Sequence, residues 1–361
     1  MLDEKILKNT ELAAIRLRSL YKNYGYRSFK MSKFEEYDLY VRNKDFLQGN
    51  GVITFSDTGG ELLALKPDVT LSIIKNTTDD AGCVSKLYYD ENVYRISGAT
   101  HRFKEIMQTG IECIGDLSSY SVFEVLFLAA KSLSLISESF VLDVSHMGIV
   151  KAMVGSVSED SAVSEELTRL LSQKNRHEAE SLLRRCSVSE DKISALLSLM
   201  AMHGAPSEIL PALAELCSGC VATEAFNELS ELVLLLSESE FADRIRLDFS
   251  VINNMSYYNG IVFRGFIDGI PEGVLAGGSY GALMKSMGRR SDAIGFAIYL
   301  DLLEELTTKN DFDVDVLLVF SSDTAAKTVK DAVQRLVGEG KSVSAQSEIP
   351  EKLRYKELVR L

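Results

Sequence analysis

Arg102-Phe103-Lys104-Glu105-Ile106-Met107-Gln108-Thr109-Gly110-Ile111-Glu112-Cys113-Ile114-Gly115 reads as a β-strand whose two faces differ in kind. Side chains alternate sides along a strand, so Met107, Thr109, Ile111 and Cys113 share one face that can pack on a core. The other face carries Gln108, Gly110 and Glu112 between Ile106 and Ile114. A buried carboxylate is costly without a partner. A glycine inside a strand marks a place where another group comes close to the backbone. The stretch is therefore expected to floor a polar pocket; the competing reading is an ordinary half-exposed strand.

Upstream, residues 86–95 form a second strand with Leu87, Tyr89 and Val93. A loop around Gly98 joins the two into an antiparallel hairpin. Before it, Ile6, Leu7, Leu12, Ile15, Leu20 and Tyr21 keep helical spacing over 4–24, and Gly25 closes that helix. Short strands at 52–55 and 62–65 flank an Asp57–Gly60 turn. Lys66-Pro67-Asp68-Val69-Thr70 then opens a helix, where Asp68 taken alone reads as a cap. Downstream come a long apolar helix over 117–137 and a strand at 140–144. From 149 to 238 every segment reads as helix, with breaks near 156–158, 187–189 and 204–206. Strands return at 245–249, 257–266 and 293–298, with Gly277-Gly278 as a turn and a helix starting at Tyr299. The last residues open a small α/β unit: strand 315–320, helix 324–337, strand 342–345. The division expected is a core in two parts, 1–148 and 241–308, a helical insert at 149–240, and a short α/β unit at 309–361.

The chain has 361 residues, 46% hydrophobic and 25% charged, which suits a globular protein with a sizeable core. A net charge of −13 argues against broad binding to nucleic acid or an anionic membrane. No apolar run approaches the ~20 residues of a membrane span, and Met1-Leu2-Asp3-Glu4-Lys5 lacks the pattern of a signal peptide. Five scattered cysteines suit a reducing compartment, so a cytoplasmic location is expected. Cys217-Ser218-Gly219-Cys220 has metal-like spacing but no second pair, and structural zinc needs four ligands. No metal site and no cofactor are expected. His101 reads as a solvated loop residue.

Four segments, 65–70, 93–95 with 102–115, 256–263, and 277–280 with 295–298, resemble in order and spacing the catalytic core of class II histidyl-tRNA synthetases. The resemblance covers roughly residues 1 to 308 and includes the helical insert. It implies an α+β fold, a mostly antiparallel sheet flanked by helices, and a homodimer. By resemblance, Asp68 stands where that family has a glutamate holding the substrate's α-amino group. Thr70, Gln108 and Glu112 match other residues of the histidine pocket, and Tyr257 and Tyr258 match a tyrosine pair beside the imidazole. Chemistry agrees: an ammonium needs carboxylate and carbonyl acceptors, and an imidazole can stack on a phenol and hydrogen-bond to it. Arg95 and Arg102 are candidate contacts for a carboxylate or other anion. Taken alone, Tyr257-Tyr258 would read as plain strand aromatics.

The departures from that family are as informative. Its arginine five residues before the second tyrosine is Asn253 here. Its arginine after the paired glycines is Ser279, the nucleotide-clamping arginine falls at Leu302, and the glutamate following Arg95 is Ser97. Adenylyl transfer depends on cationic clamps, and losing one typically costs about 10²–10³ in rate. The stretch after Lys309 is also short for the family's anticodon-binding domain. A kept histidine pocket with lost ATP chemistry resembles the regulatory subunits of ATP phosphoribosyltransferase, a family of synthetase paralogues. That resemblance implies a non-catalytic chain that joins a short-form catalytic subunit in a hetero-oligomer. It further implies a role in the first step of histidine biosynthesis and feedback inhibition by L-histidine. Whether histidine binds in this pocket or at a subunit interface stays open. The alternatives are a divergent enzyme forming an aminoacyl-adenylate and a tRNA-binding sensor.

Overall fold

The 102–115 stretch folds as the strand Phe103–Gly115, paired along its length with the antiparallel strand Val84–Ile96, so the expected hairpin forms. The structure, a computed structural model, describes residues 7–47, 51–79, 82–96, 102–218, 222–252, 257–306 and 312–361. Ser97, Gly98, His101, Gly219, Cys220, Asn253 and Ser256 lie outside these.

The chain divides into two units, Met1–Leu306 and Thr307–Leu361. In chain order the first contains α1 (Asn9–Asn23), β1 (Arg27–Ser28), β2 (Phe34–Glu36), α2 (Tyr37–Arg42), β3 (Thr54–Ser56), β4 (Leu62–Leu65), α3 (Thr70–Asn76), β5 (Val84–Ile96), β6 (Phe103–Gly115), α4 (Ser119–Ile136) and β7 (Phe140–His146). Then follow α5 (Met147–Val157), α6 (Ser161–Ser172), α7 (Arg176–Arg185), α8 (Glu190–Ala201), β8 (His203–Gly204), α9 (Pro206–Cys217) and α10 (Thr223–Ser237). The unit closes with β9 (Ile245–Asp248), β10 (Ile261–Ile267), β11 (Leu275–Ser279), α11 (Gly281–Ser286) and β12 (Asp292–Tyr299). Its main sheet has nine strands in the order β1-β5-β6-β12-β11-β10-β7-β9-β8. All pairs are antiparallel except β1–β5 and β7–β9. A small sheet, β2-β4-β3, stands apart from it.

Alternation along β6 separates two cores. Ile111 and Cys113 join the larger one, with Leu17 and Tyr21 of α1 and Leu126 and Leu133 of α4. Ile114 joins a second one with Val69, Ile73, Tyr89 and Leu283. The half-exposed alternative fails, because Gln108 through Gly115 are all buried. Helix α4 is, among the described residues, the one helix long and apolar enough to cross a membrane; here Val125, Leu126, Ala129 and Leu133 pack into the core. Helices α5 to α10 add Val150, Leu170, Leu183, Leu196, Leu213 and Leu232 to the same core as the sheet.

Several local expectations are corrected. Gly277 and Gly278 are within β11 rather than in a turn: a Cβ on Gly277 would lie 2.4 Å from the Gly295 carbonyl oxygen of the neighbouring strand. Tyr257 and Tyr258 precede β10, which starts at Ile261, so they are not strand aromatics. The helical stretch contains a two-residue strand, β8, paired with β9. The segment after β12 is a 3-10 helix, Leu300–Leu306. The second unit holds β13 (Val314–Val319), α12 (Ala326–Gly338), β14 (Val343–Gln346) and β15 (Tyr355–Arg360). Its sheet, β14-β13-β15, is wholly parallel. The sequence reading lacked β15, where Lys356 and Glu357 interrupt the apolar alternation.

Candidate functional site

The even-numbered face of β6 contributes Gln108 and Glu112 to the floor of a cavity that opens to solvent. Two glycines let polar groups lie against that floor. Gly110 is registered against Tyr89 on β5 and Ala297 on β12. A Cβ there would come 2.6 Å from the Tyr89 hydroxyl and 2.1 Å from the Phe296 carbonyl oxygen. Gly295 faces Glu112 across the β6–β12 pair, and its Cβ would fall 1.9 Å from Glu112 Oε2.

Glu112 is 2% exposed. The Tyr280 hydroxyl donates to its Oε2 at 2.6 Å and the Thr70 hydroxyl to its Oε1 at 2.9 Å. Burial pushes the Glu112 carboxyl up to about 8; the two hydrogen bonds oppose this and the Asp68 charge adds to it. Gln108, also 2% exposed, keeps its Nε2 without a protein partner. A buried amide donor left unpaired costs about 1–3 kcal/mol, so a ligand acceptor has something to gain there.

Asp68 does two jobs at the mouth of α3. Its Oδ1 accepts from the Leu71 amide at 3.0 Å, as the capping reading expected. Its Oδ2 lies 3.6 Å from an Arg95 guanidinium nitrogen, and Arg95 Nε donates to the Pro67 carbonyl at 2.7 Å. Tyr257 and Tyr258 line the cavity with ring centroids 4.5 Å apart, and Tyr257 lies 5.8 Å from Tyr280. Burial raises both the Tyr257 and Tyr280 phenols well above their ordinary value, so they remain neutral donors.

Seven of the eight candidate residues thus line one cavity: Asp68, Thr70, Arg95, Gln108, Glu112, Tyr257 and Tyr258. Arg102 does not join them. It is exposed just before β6, and six residues of extended strand put it roughly 20 Å from Gln108. Tyr89, Tyr280 and Tyr299 also line the cavity and were missed. Tyr280 lay in a quoted segment, and registering the 86–95 strand against Gly110 would have brought out Tyr89. Among the described lining residues Arg95 supplies the positive charge, and it is tied to Asp68 and Pro67. Ser279 ends β11, and Leu302 packs against the larger core. Neither offers a cation, while Ser97 and Asn253 lie outside the described residues.

The arrangement is acceptor-rich, with a paired cation and an aromatic wall. It suits a small zwitterion carrying an ammonium and a second polar ring or chain. Among the described residues it offers one cation, Arg95, where a triphosphate needs several. As for metals, Cys217 is buried in α9, away from any second ligand pair among the described residues. The one group of three potential ligands among those residues is Asp143, His203 and Asp248.

The family model of histidyl-tRNA synthetase matches residues 2–303. A protein from Caldanaerobacter subterraneus subsp. tengcongensis, named ATP phosphoribosyltransferase regulatory subunit, is 30% identical over 79% of this chain and 75% of its own length. The chain belongs to the histidyl-tRNA synthetase family, on its ATP phosphoribosyltransferase regulatory-subunit branch. A regulatory subunit of the same name from Oceanobacillus iheyensis is 27% identical over 82% of this chain and 73% of its own. Among solved structures, an ATP phosphoribosyltransferase regulatory subunit/histidyl-tRNA synthetase from Bacillus halodurans C has the same fold, with TM-score 0.75 at 21% identity. That match covers 100% of this chain and 96% of the other. The ATP phosphoribosyl transferase (HisG:HisZ) complex from Thermotoga maritima contains a chain of this fold too, with TM-score 0.63 at 19% identity, covering 80% and 96%. The cavity lies in the part of the chain that the family model covers, and among its described lining residues Arg95 is the one cation.

Proposed function

We propose that this chain is the non-catalytic regulatory subunit of an ATP phosphoribosyltransferase and that its cavity takes L-histidine as the feedback effector. The observation that carries this reading is the pairing of a buried, hydrogen-bonded Glu112 and an unpartnered Gln108 amide with a cavity where Arg95 alone, among described residues, is cationic. Histidine's ammonium would exchange with the proton on Glu112 and lie near Asp68. Its imidazole would pack on Tyr257 and Tyr258. Its remaining acceptors would use Gln108 Nε2 and, through its outer edge, Arg95. The partner is a short-form catalytic subunit, and the chain works as a homodimer inside the hetero-oligomer, in the cytoplasm.

The test is reconstitution with the short-form catalytic subunit from the same source, assaying phosphoribosyl transfer with and without this chain across a histidine titration. Activity should rise when this chain is added and fall with histidine, and Glu112→Ala should keep the first effect and lose the second. Activity indifferent to this chain, with no complex by gel filtration, would overturn the reading. Histidine-dependent exchange of pyrophosphate into ATP would instead favour an adenylate-forming enzyme.

A further inference from the structure

On the same face of the main sheet as the cavity, but at the opposite edge, three ligating side chains converge from three adjacent strands. The face follows from register: Gly110, Ala297, Ala276, Arg264 and Asp143 stand in one transverse row across β6, β12, β11, β10 and β7. Four inter-strand steps put Asp143 roughly 19 Å from the floor of the cavity. His203 on β8 is registered against Asp248 at the end of β9. The ligand atoms of Asp143, His203 and Asp248 all lie within 4.8 Å of one another.

A second observation distinguishes this group from a plain acidic cluster. Asp143 is only 8% exposed, its carboxylate contributes one of the grouped oxygens, and its Oδ1 has no hydrogen-bond partner. A buried carboxylate oxygen left unpaired is expensive. Asp248, 5% exposed, is better served: its Oδ1 accepts the Ser250 amide at 2.9 Å and its Oδ2 the Lys174 ammonium at 2.8 Å, with His203 Nε2 3.9 Å away. Lys174 thus stands where a cation is wanted but reaches only one of the two carboxylates. It is held there on a left-handed backbone, φ 53°, just beyond α6. The His203 side chain is 41% exposed and that of Lys174 48%, which leaves a path from solvent.

We propose that Asp143, His203 and Asp248 form a binding site for one first-row divalent cation, with Lys174 as its competitor. One imidazole and two carboxylates select Zn²⁺, Mn²⁺ or Co²⁺ over Mg²⁺ and Ca²⁺, which prefer oxygen alone. Metal–ligand bonds of about 2.1 Å in a tetrahedron set ligand atoms roughly 3.4 Å apart, so a small inward movement of the exposed His203 ring completes the set. Water fills the remaining positions. The ion would cross-link β7, β9 and β8, and β8 is otherwise held by two registered residues.

The experiment uses the full chain after EDTA dialysis, titrated with Mn²⁺ and Co²⁺ by calorimetry, with melting followed at each metal concentration. The result expected is one ion per chain and a rise in Tm. The Co²⁺ form should lack thiolate charge-transfer absorption, which excludes the exposed Cys83 and Cys186 as ligands. Asp143→Asn, nearly isosteric, should weaken binding at least tenfold, and His203→Ala should abolish it; both should retain the metal-free circular dichroism of the parent. Lys174→Met should tighten binding by removing the competitor. Absence of binding up to millimolar metal would overturn the proposal. So would binding that survives both Asp143→Asn and His203→Ala, or that Lys174→Met leaves unchanged.

Discussion

Replacing Glu112 by Gln should uncouple ligand binding from protons. With its carboxyl at about 8, roughly nine in ten free cavities carry a proton on Glu112 at pH 7. An ammonium docked against the carboxylate favours the ionised form, so binding must expel that proton. At pH 7 the wild-type chain should therefore release about 0.9 proton per histidine bound, read from calorimetry in two buffers of different ionisation enthalpy. By the same linkage, affinity should rise roughly fivefold from pH 7 to pH 8, a window in which a free imidazole, with its ordinary value near 6.5, is mostly neutral. Glu112→Gln keeps the shape and the acceptor but cannot ionise. Its proton release should fall to near zero and its affinity should become flat with pH. Loss of the charge-assisted bond, worth about 1.5–3 kcal/mol, should weaken binding at pH 8 by roughly 10- to 150-fold. Release of fewer than about 0.3 protons by the wild type at pH 7, or of as many by the variant as by the wild type, would refute binding coupled to Glu112 ionisation.

The same carboxyl governs the stability of the ligand-free chain. A folded-state value raised from 4.5 to about 8 means that its contribution is full below pH 4.5 and is lost as pH rises to 8, up to about 5 kcal/mol at 1.36 per unit. Urea midpoints of Glu112→Gln should be flatter than wild type across that window, and saturating histidine should flatten the wild type. Gly110→Ala would drive a Cβ into Phe296 and Tyr89, and should lower stability by at least about 1–3 kcal/mol while removing histidine binding, measured by denaturant melts and calorimetry. Lys66, 1% exposed, pairs with Glu91, whose side chain is 13% exposed. Lys66→Met should cost about 3–5 kcal/mol by stranding that carboxylate, and adding Glu91→Gln should restore most of the loss.

Much of this was legible before the structure. The alternation of β6 separated core from pocket because Met107, Ile111 and Cys113 share one face while Gln108, Gly110 and Glu112 sit together on the other, between Ile106 and Ile114. Asp68, Thr70, Gln108 and Glu112 could be grouped only through the resemblance to histidyl-tRNA synthetases, since Asp68 taken alone reads as a helix cap. What stayed hidden depends on partners far apart in the chain. Gly277-Gly278 looks like a turn until Gly295 and Phe296 are brought beside it, when the absence of a Cβ becomes a packing requirement. Tyr280 meets Glu112 across 168 residues, a pairing that no local pattern encodes. Arg102 was a candidate anion contact alongside Arg95, but it stands exposed before β6, six residues from Gln108, and does not line the cavity. His203 reads as a residue of a helical stretch, and only its pairing with Asp248 on β9 sets it among ligands.

These energetics bear on how such a pocket could act as a sensor. A buried carboxylate with no cation beside it would strain the ligand-free chain, and the proton on Glu112 relieves most of that strain. The free state is then neutral and well hydrogen-bonded through Tyr280 and Thr70. The ligand gains only the difference between its ammonium and that proton. An effector can shift an assembly only by as much as its affinity differs between two states. The states that matter are therefore those in which the carboxyl is held differently, by a changed distance to Tyr280 on the N-terminal side of α11 or to Thr70 at the start of α3. A tenfold preference corresponds to about 1.4 kcal/mol, well within what the loss or gain of one such hydrogen bond supplies. Tyr280→Phe removes one of the two. It should raise the Glu112 carboxyl further and increase proton release at pH 8 towards one per ligand. It should also shrink the histidine effect on the reconstituted enzyme while leaving activation by this chain in place. Unchanged proton release and unchanged inhibition in that variant would mean that the Tyr280 contact is structural and that the signal leaves the pocket by another route.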